Sequence, residues 1–383
     1  MIDAIALYVH WPFCQSKCPY CDFNSHVTEA IDHPRWRDAL LTELDHYAAA
    51  TPDRRLTSIF FGGGTPSLME PGTAAAVIAA ARAHWTSTDD LEVTLEANPS
   101  SAEKDRFIAY RNAGVNRLSL GIQSLNDDAL RFLGRRHDAA EAHIAMTQAR
   151  EVFERVSFDF IYARPGQTEA QWRDELSRLL EFTGDHLSLY QLTIEPGTPF
   201  FHDAVPAADE DHGVALFELT QELTAAAGLP AYEISNHAQP GAESRHNLTY
   251  WRGGDYAGIG PGAHGRLTSD DAFTATHQIH DPMRWLAAVE RNGHGTGKLR
   301  ILGGRERAEE ILMTGLRLVE GLDTTALSAA TGFDLSNLTD SDRLGLAMDG
   351  GFLVRDGAHL RTTPAGRLIL NTLVGAILTA KEA

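Results

Sequence analysis

Three cysteines fall within eight residues of one another, Cys14-Gln-Ser-Lys-Cys18-Pro-Tyr-Cys21, directly after the apolar run Ala6-Leu-Tyr-Val-His10, and the chain has no others. Three thiolates on one short loop can hold three irons of a cubic 4Fe-4S cluster and leave the fourth iron without a protein ligand, open to chemistry. A structural zinc site asks for four closed ligands, usually in pairs, and no second CxxC or HxxxH partner is present. A disulfide framework fails on count, because an odd number of cysteines bunched in one loop cannot staple a fold of this length.

Other residues with chemical capacity recur at intervals behind that loop. Phe61-Gly62-Gly63-Gly64-Thr65-Pro66-Ser67 carries three glycines, which let a backbone pass close to a ligand and expose its amides. A plain tight turn explains the same three residues. Glu96 closes the run Leu95-Glu96-Ala-Asn-Pro99, Gln123 follows in Gly121-Ile-Gln123-Ser124, Arg135 lies in an expected helical stretch, and Asp159 sits inside another apolar run. Acceptors and one cationic donor are the set a charged zwitterion would need, although each alone fits a satisfied structural polar group. Further on, Ser244-Arg-His246-Asn247-Leu-Thr-Tyr250-Trp251 places an imidazole beside two large aromatics. These could equally pack a loop against its neighbours.

The elements that must position these residues alternate. Short β-rich runs at Ala6–Val9, Ser58–Phe61, Glu92–Glu96, Arg117–Leu120, Val156–Phe160 and His186–Gln191 are each followed by an amphipathic helical stretch. That pattern predicts an α/β fold with a parallel sheet, either a partial (β/α)6 barrel or an open doubly wound sheet. The chemically capable residues lie at the C-terminal ends of these runs, where parallel α/β folds place their sites. We expect residues 1–230 to form the barrel, 231–280 to connect, and 281–383 to form a mainly helical C-terminal domain. In the last, Arg305–Val319 has helical spacing and Gly351–Arg361 reads as a hairpin around Asp-Gly, a winged-helix-like combination in which His359 is structural.

Composition bounds the partners. With 383 residues, 43% of them hydrophobic, the chain can bury a large core in two or three domains. A formal net charge of −19 argues against nucleic acid and anionic lipid. The run Asp209-Glu210-Asp211 is expected to be a solvated loop or helix start. No apolar window is long enough to cross a bilayer, and the stretch Ala74–Ala81 reads as an Ala-rich helix. The first residues lack a basic leader, and a cleaved one would take the cysteine loop with it, so we expect a cytoplasmic protein in a reducing compartment.

The segments Tyr8-Val-His-Trp-Pro-Phe-Cys14 and Cys21-Asp-Phe-Asn24 resemble radical S-adenosylmethionine (SAM) enzymes of the coproporphyrinogen-dehydrogenase group, and within it the HemW haem-chaperone branch. The resemblance runs over nearly the whole chain. It implies a radical-SAM partial barrel whose cluster is held by Cys14, Cys18 and Cys21, with SAM chelating the fourth iron. It places Gly63, Gly64 and Thr65 at the SAM amino group, and Tyr8, Glu96, Gln123, Arg135 and Asp159 around the rest of the cofactor. His246, Asn247, Tyr250 and Trp251 fit the HNxxYW pattern of the haem-chaperone branch, which implies haem as a further cofactor. Imidazole ligates haem iron, and Tyr and Trp offer area to a porphyrin face. His237 and His264 are the next imidazoles to consider. One departure is Ala163-Arg164, where the pattern has Gly-Leu before the proline; an exposed arginine could replace leucine without touching the cofactor, or the change could alter whatever packs there.

Two functions follow from the resemblance. One is a haem chaperone that binds a 4Fe-4S cluster, SAM and haem and delivers haem to acceptor proteins, respiratory membrane proteins among them; the chain itself could act as a homodimer. The other is an oxygen-independent coproporphyrinogen III dehydrogenase. In the dehydrogenases a fourth cysteine stands one residue past the third, where this chain has Phe23, and an extension precedes the cluster. Both differences favour the chaperone and leave open whether SAM is cleaved.

Overall fold

The computed structural model describes residues 4–28, 30–101, 104–269 and 272–378. An 11-stranded sheet forms its centre. Ala4–Trp11, Arg55–Gly63, Thr86–Ala97, Arg117–Gln123, Arg155–Tyr162 and His186–Gln191 are the six strands expected, paired in that order and all parallel. Consecutive residues such as Ile5, Ala6 and Leu7 are all buried, as suits a parallel strand covered on both faces. Crossover helices begin at side-chain caps written into the sequence: Asp32 before His33–Ala50, Asp138 with Glu141 at Ala139–Val152, and Thr168 with Gln171 at Glu169–Phe182.

The sheet grows beyond six strands on both flanks. Tyr256–Ile259 pairs parallel with the first strand and is followed outward by His264–Thr268, Phe273–Gln278 and Thr296–Leu302, all antiparallel. Asn236–Ala238 pairs antiparallel at the other edge, and because the two edge strands differ the sheet stays open, as a partial barrel does.

The stretch 231–280 therefore contributes four strands rather than only a connection. Past Asp281 the chain is still completing the barrel: helix Pro282–Asn292 stacks Trp285 on Trp36 at 5.4 Å and buries Leu286 and Val289 in the main core. Strands as polar as Phe-Thr-Ala-Thr-His-Gln carry little apolar alternation, so their pairing is not visible in the sequence. Glu43, on helix His33–Ala50, ties this flank together by accepting from Gly260 N at 2.8 Å, Gly295 N at 2.6 Å and Trp285 Nε1 at 3.0 Å.

A second core gathers Ala308, Leu312, Leu338, Leu360 and Leu373. Around it stand helices Gly304–Gly315, Thr324–Thr331 and Ser341–Asp349 and a three-stranded antiparallel sheet. Its hairpin joins Leu353–Asp356 to His359–Thr362 through Gly357 at φ 59°, a winged-helix-like arrangement with His359 exposed.

Candidate functional site

The chain leaves its first strand through the two-residue strand Phe13–Cys14 and returns through His26–Val27, parallel to it, so the cysteine loop is pinned at both ends. Cys14 is buried and Cys18 and Cys21 are partly exposed. All three line one cavity of about 320 Å³. Among the described residues no three His, Cys, Asp or Glu side chains converge where a single ion could be held. Three thiols on one loop, lining one cavity, are the donor set of a cluster that keeps one iron open.

A chain of hydrogen bonds runs from one cysteine to another. Thr65 Oγ1 donates to Cys14 Sγ at 3.3 Å, and Asn98 Nδ2 donates to Thr65 Oγ1 at 2.9 Å. Arg135 donates to Asn98 Oδ1, to Gly121 O at 2.7 Å and to Cys18 Sγ at 3.4 Å. Its Nε is buried without a hydrogen-bond partner among the described residues. Arg135 is not helical as expected: Gly134, at φ 67°, has already ended helix Asp127–Phe132, and that break aims the guanidinium at the cavity. Burial pushes the Cys14 and Cys21 thiols up, opposed by the donors at Thr65 and Ser25 and, for Cys21, by the Phe23 amide.

The glycines serve close approach. A Cβ on Gly64 would lie 2.8 Å from Phe13 O, and Gly63, at φ 114°, would drive one into the His10 ring at 2.7 Å. Gly63 N instead donates to Glu96 Oε2 at 3.2 Å. Glu96 and Asp159 face the same cavity. Burial, then the nearby Asp159 charge, pushes Glu96 up to about 8. Burial pushes Asp159 up to about 6 against the Ser119 hydroxyl, which donates to it at 3.0 Å. A cation placed between the two carboxylates would favour their ionised forms. Gln123 joins them from the end of its strand at φ 70°.

Tyr8 stands apart from that set. Its hydroxyl meets His10 Nδ1 at 3.1 Å, and its ring lines a second cavity, of about 680 Å³, that shares Gly63, Glu96 and Phe23 with the first. Asn98 and Tyr190 also line the first cavity and were not singled out. The Asn-Pro that closes its strand was a signal for Asn98; Tyr190 had none.

Arg164 is buried and pairs with Glu175 at 2.5 Å, so of the two readings open for this departure the structure favours altered packing over a surface arginine. Glu175 also accepts from Leu125 N at 2.8 Å and from the Ser124 hydroxyl, so the pair underpins the turn that follows Gln123. Ala163 sits at φ 57°, a conformation for which glycine is the unstrained residue.

The His-Asn-x-x-Tyr-Trp segment forms helix Arg245–Trp251, capped by Ser244. It brings Tyr250 and Trp251 to the second cavity and turns the other two residues away from it. His246 is 1% exposed, with Nδ1 3.1 Å from Ser58 Oγ and Nε2 2.5 Å from the Tyr250 hydroxyl, and its ring stacks on Phe60. Both ring nitrogens are thus engaged, and burial alone lowers it to about 3, so the imidazole expected to face an iron is sealed inside the barrel. Asn247 bonds the Tyr232 hydroxyl at 3.4 Å. His237 is likewise buried, whereas His264 is exposed and lines the second cavity.

The sequence and fold have known relatives. Residues 8–179 match the radical SAM superfamily and residues 302–369 the HemN C-terminal domain. The mitochondrial radical S-adenosyl methionine domain-containing protein 1 of Mus musculus is 44% identical over 326 residues, 83% of this chain and 74% of that protein. The heme chaperone HemW of Escherichia coli is 36% identical, covering 98% of this chain and 99% of its own length. Among solved structures, the coproporphyrinogen III oxidase HemN of Escherichia coli superposes with a TM-score of 0.82 over 99% of this chain and 91% of its own, at 21% identity, a likeness of fold. The cysteine loop, the carboxylate pair at the strand ends and these full-length similarities agree: the chain belongs to the radical SAM superfamily, in the family of the bacterial HemW proteins.

Proposed function

We propose that the chain is a haem chaperone that binds a 4Fe-4S cluster, SAM and haem and passes haem to acceptor proteins, respiratory membrane proteins among them, in a reducing cytoplasm. The observation that carries this is the similarity to proteins named heme chaperone over almost the whole length of both chains. Phe23 supports it: where the dehydrogenase pattern has a fourth cysteine, this chain presents a phenyl ring, 63% exposed, between the two cavities.

The donor set suits the cofactors. Cys14, Cys18 and Cys21 would ligate three irons, with Thr65 and Arg135 donating to two of the sulfurs and stabilising their thiolate form. Gly63, Gly64, Glu96, Gln123 and Asp159 would hold SAM, the two carboxylates facing its cationic groups and Arg135 its carboxylate. When bound, the cluster and SAM supply one-electron chemistry at the sulfonium. The chain's own part is to fix the two against each other at the strand ends. Among the described residues no helix is long and apolar enough to cross a membrane, so delivery to a membrane acceptor would occur by docking.

The test is paired. Anaerobically reconstituted protein should bind haemin and release it to an apo-acceptor, and with SAM and reductant it should form no protoporphyrinogen IX from coproporphyrinogen III. Turnover above a no-protein control, lost in Cys18→Ala, would replace the chaperone reading with the dehydrogenase.

A further inference from the structure

The second cavity contains side chains that the SAM site does not use. Its volume, about 680 Å³, falls in the range of pockets that enclose small organic ligands. One wall is aromatic: Tyr250, Trp251 and Tyr256, with Tyr250 and Tyr256 edge to face at 4.3 Å. Trp251 has a buried indole nitrogen with no hydrogen-bond partner among the described residues, and the Arg317 guanidinium lies 4.7 Å from its ring centroid. Met313 and Phe23, 50% and 63% exposed, offer further apolar surface at the rim.

Charge is placed at one end. Arg266, from the sheet, donates twice to Glu310 at 3.0 Å, and Arg307, from helix Gly304–Gly315, donates to the same carboxylate at 3.2 Å. Two guanidiniums on one carboxylate leave a net positive charge at the cavity wall, a partner for a ligand's own carboxylates.

Imidazole is placed at another. The antiparallel register sets His264 opposite His277, their rings stacked at 4.0 Å, and the edge of His277 meets His280 at 4.4 Å. His264 and His280 line the cavity and are exposed. Among the described residues the His264 ring nitrogens make no hydrogen bond. Although its edge is open to solvent, partial desolvation by the packed rings and the Arg266 charge lower its affinity for a proton, so the ring offers a lone pair at neutral pH. Among the described residues no three ligating side chains converge here, so an iron at His264 would need equatorial ligands of its own. A porphyrin supplies them, and also brings an apolar face and two carboxylates.

Resting on the chaperone reading, we propose that haem sits in this cavity with His264 as its axial ligand, its face on the Tyr250–Trp251 wall and its propionates at Arg266 and Arg307. His246 is then a positioning residue that acts through its bond to the Tyr250 hydroxyl. The haem seat adjoins the SAM site across Phe23, Gly63 and Glu96, so the two ligands are neighbours without sharing an iron ligand.

The experiment is a titration of the full chain with haemin, read by the Soret band and by electron paramagnetic resonance of the ferric iron. His264→Ala should weaken binding by roughly tenfold or more and remove the imidazole–iron signature, and added imidazole should restore the signature. His246→Ala should weaken binding while leaving that signature in place. Haemin dimethyl ester, whose propionates are blocked, should bind wild type roughly tenfold more weakly than haemin. Because His264 is exposed, its variant should still take up the cluster, which serves as the folding control. If wild type binds no haemin, the chaperone reading falls and the siting with it. If wild type binds and His264→Ala shows the same affinity and spectrum, or if the signature vanishes in His246→Ala instead, the siting alone is overturned. Ester affinity equal to that of haemin removes the arginines from the proposal.

Discussion

The two cavities adjoin but are held in different ways. At the cysteine loop the polar groups bond one another in a continuous path, Cys14 to Thr65 to Asn98 to Arg135 to Cys18, with Thr65 and Asn98 just past strand ends of the main sheet. Beside Tyr250 and Trp251 the wall comes from two cores: Arg266 and His264 from the sheet, Arg307, Glu310 and Met313 from the helix that opens the C-terminal region. There His264 and His277 stack on one another, with no hydrogen bond to their ring nitrogens among the described residues, and the joint between the cores is an Arg–Glu–Arg cluster. The first arrangement suits a cofactor kept in place, the second a ligand that must leave.

The largest expected effect tests the first cavity. Replacing Cys14, Cys18 or Cys21 by alanine should abolish the broad cluster absorption after anaerobic reconstitution; full iron and sulfide in the triple variant would remove the cluster from the account. Next, Glu96→Ala should weaken SAM binding by roughly tenfold or more, because a charge-assisted contact in a buried site is lost, as calorimetry would show.

Two supports beneath the cavities can then be compared directly. Arg164→Leu restores the residue of the family pattern but leaves Glu175 buried without its partner, and should cost about 3 kcal/mol of unfolding free energy by urea titration. Glu43 supports the other side, since Gly260 and Gly295 flank the strands that carry His264 and His277. Burial raises it to about 7. The folded state therefore binds more protons than the unfolded one between its ordinary range and that value, so this contribution to stability is present at low pH and is lost as pH rises through 7. The span is on the order of 3 kcal/mol, and Glu43→Gln should flatten it. A wild-type profile that rises over the same interval would contradict the assignment. The smallest effect is Ala163→Gly, which should add about 1 kcal/mol by relieving the left-handed backbone.

How much of this was legible in the sequence follows the same division. Six parallel strands and the cysteine loop could be read because strand periodicity and ligand spacing are local. Arg135 was misplaced in a helix because a single residue, Gly134, turns the chain out of it. Whether Arg164 is exposed or packed is not legible locally, because its partner Glu175 lies on the next helix and nothing in the sequence pairs them. His246 looked available for the same reason: its partner Ser58 is 188 residues away. The pairing of His264 with His277 depends on the register of polar strands whose pattern gives no hint of a sheet. Local geometry carried the cofactor site, and long-range packing decided which histidine is exposed.

The central claim is that two cavities hold two ligands through different residues. The most direct measurement is haemin titration of the Cys14→Ala, Cys18→Ala, Cys21→Ala triple variant, followed at the Soret band. The account predicts haemin binding with wild-type affinity and band position in a protein that holds no cluster. Loss of haemin binding together with the cysteines, in a variant that keeps its secondary structure by circular dichroism, would contradict it and assign both ligands to one site.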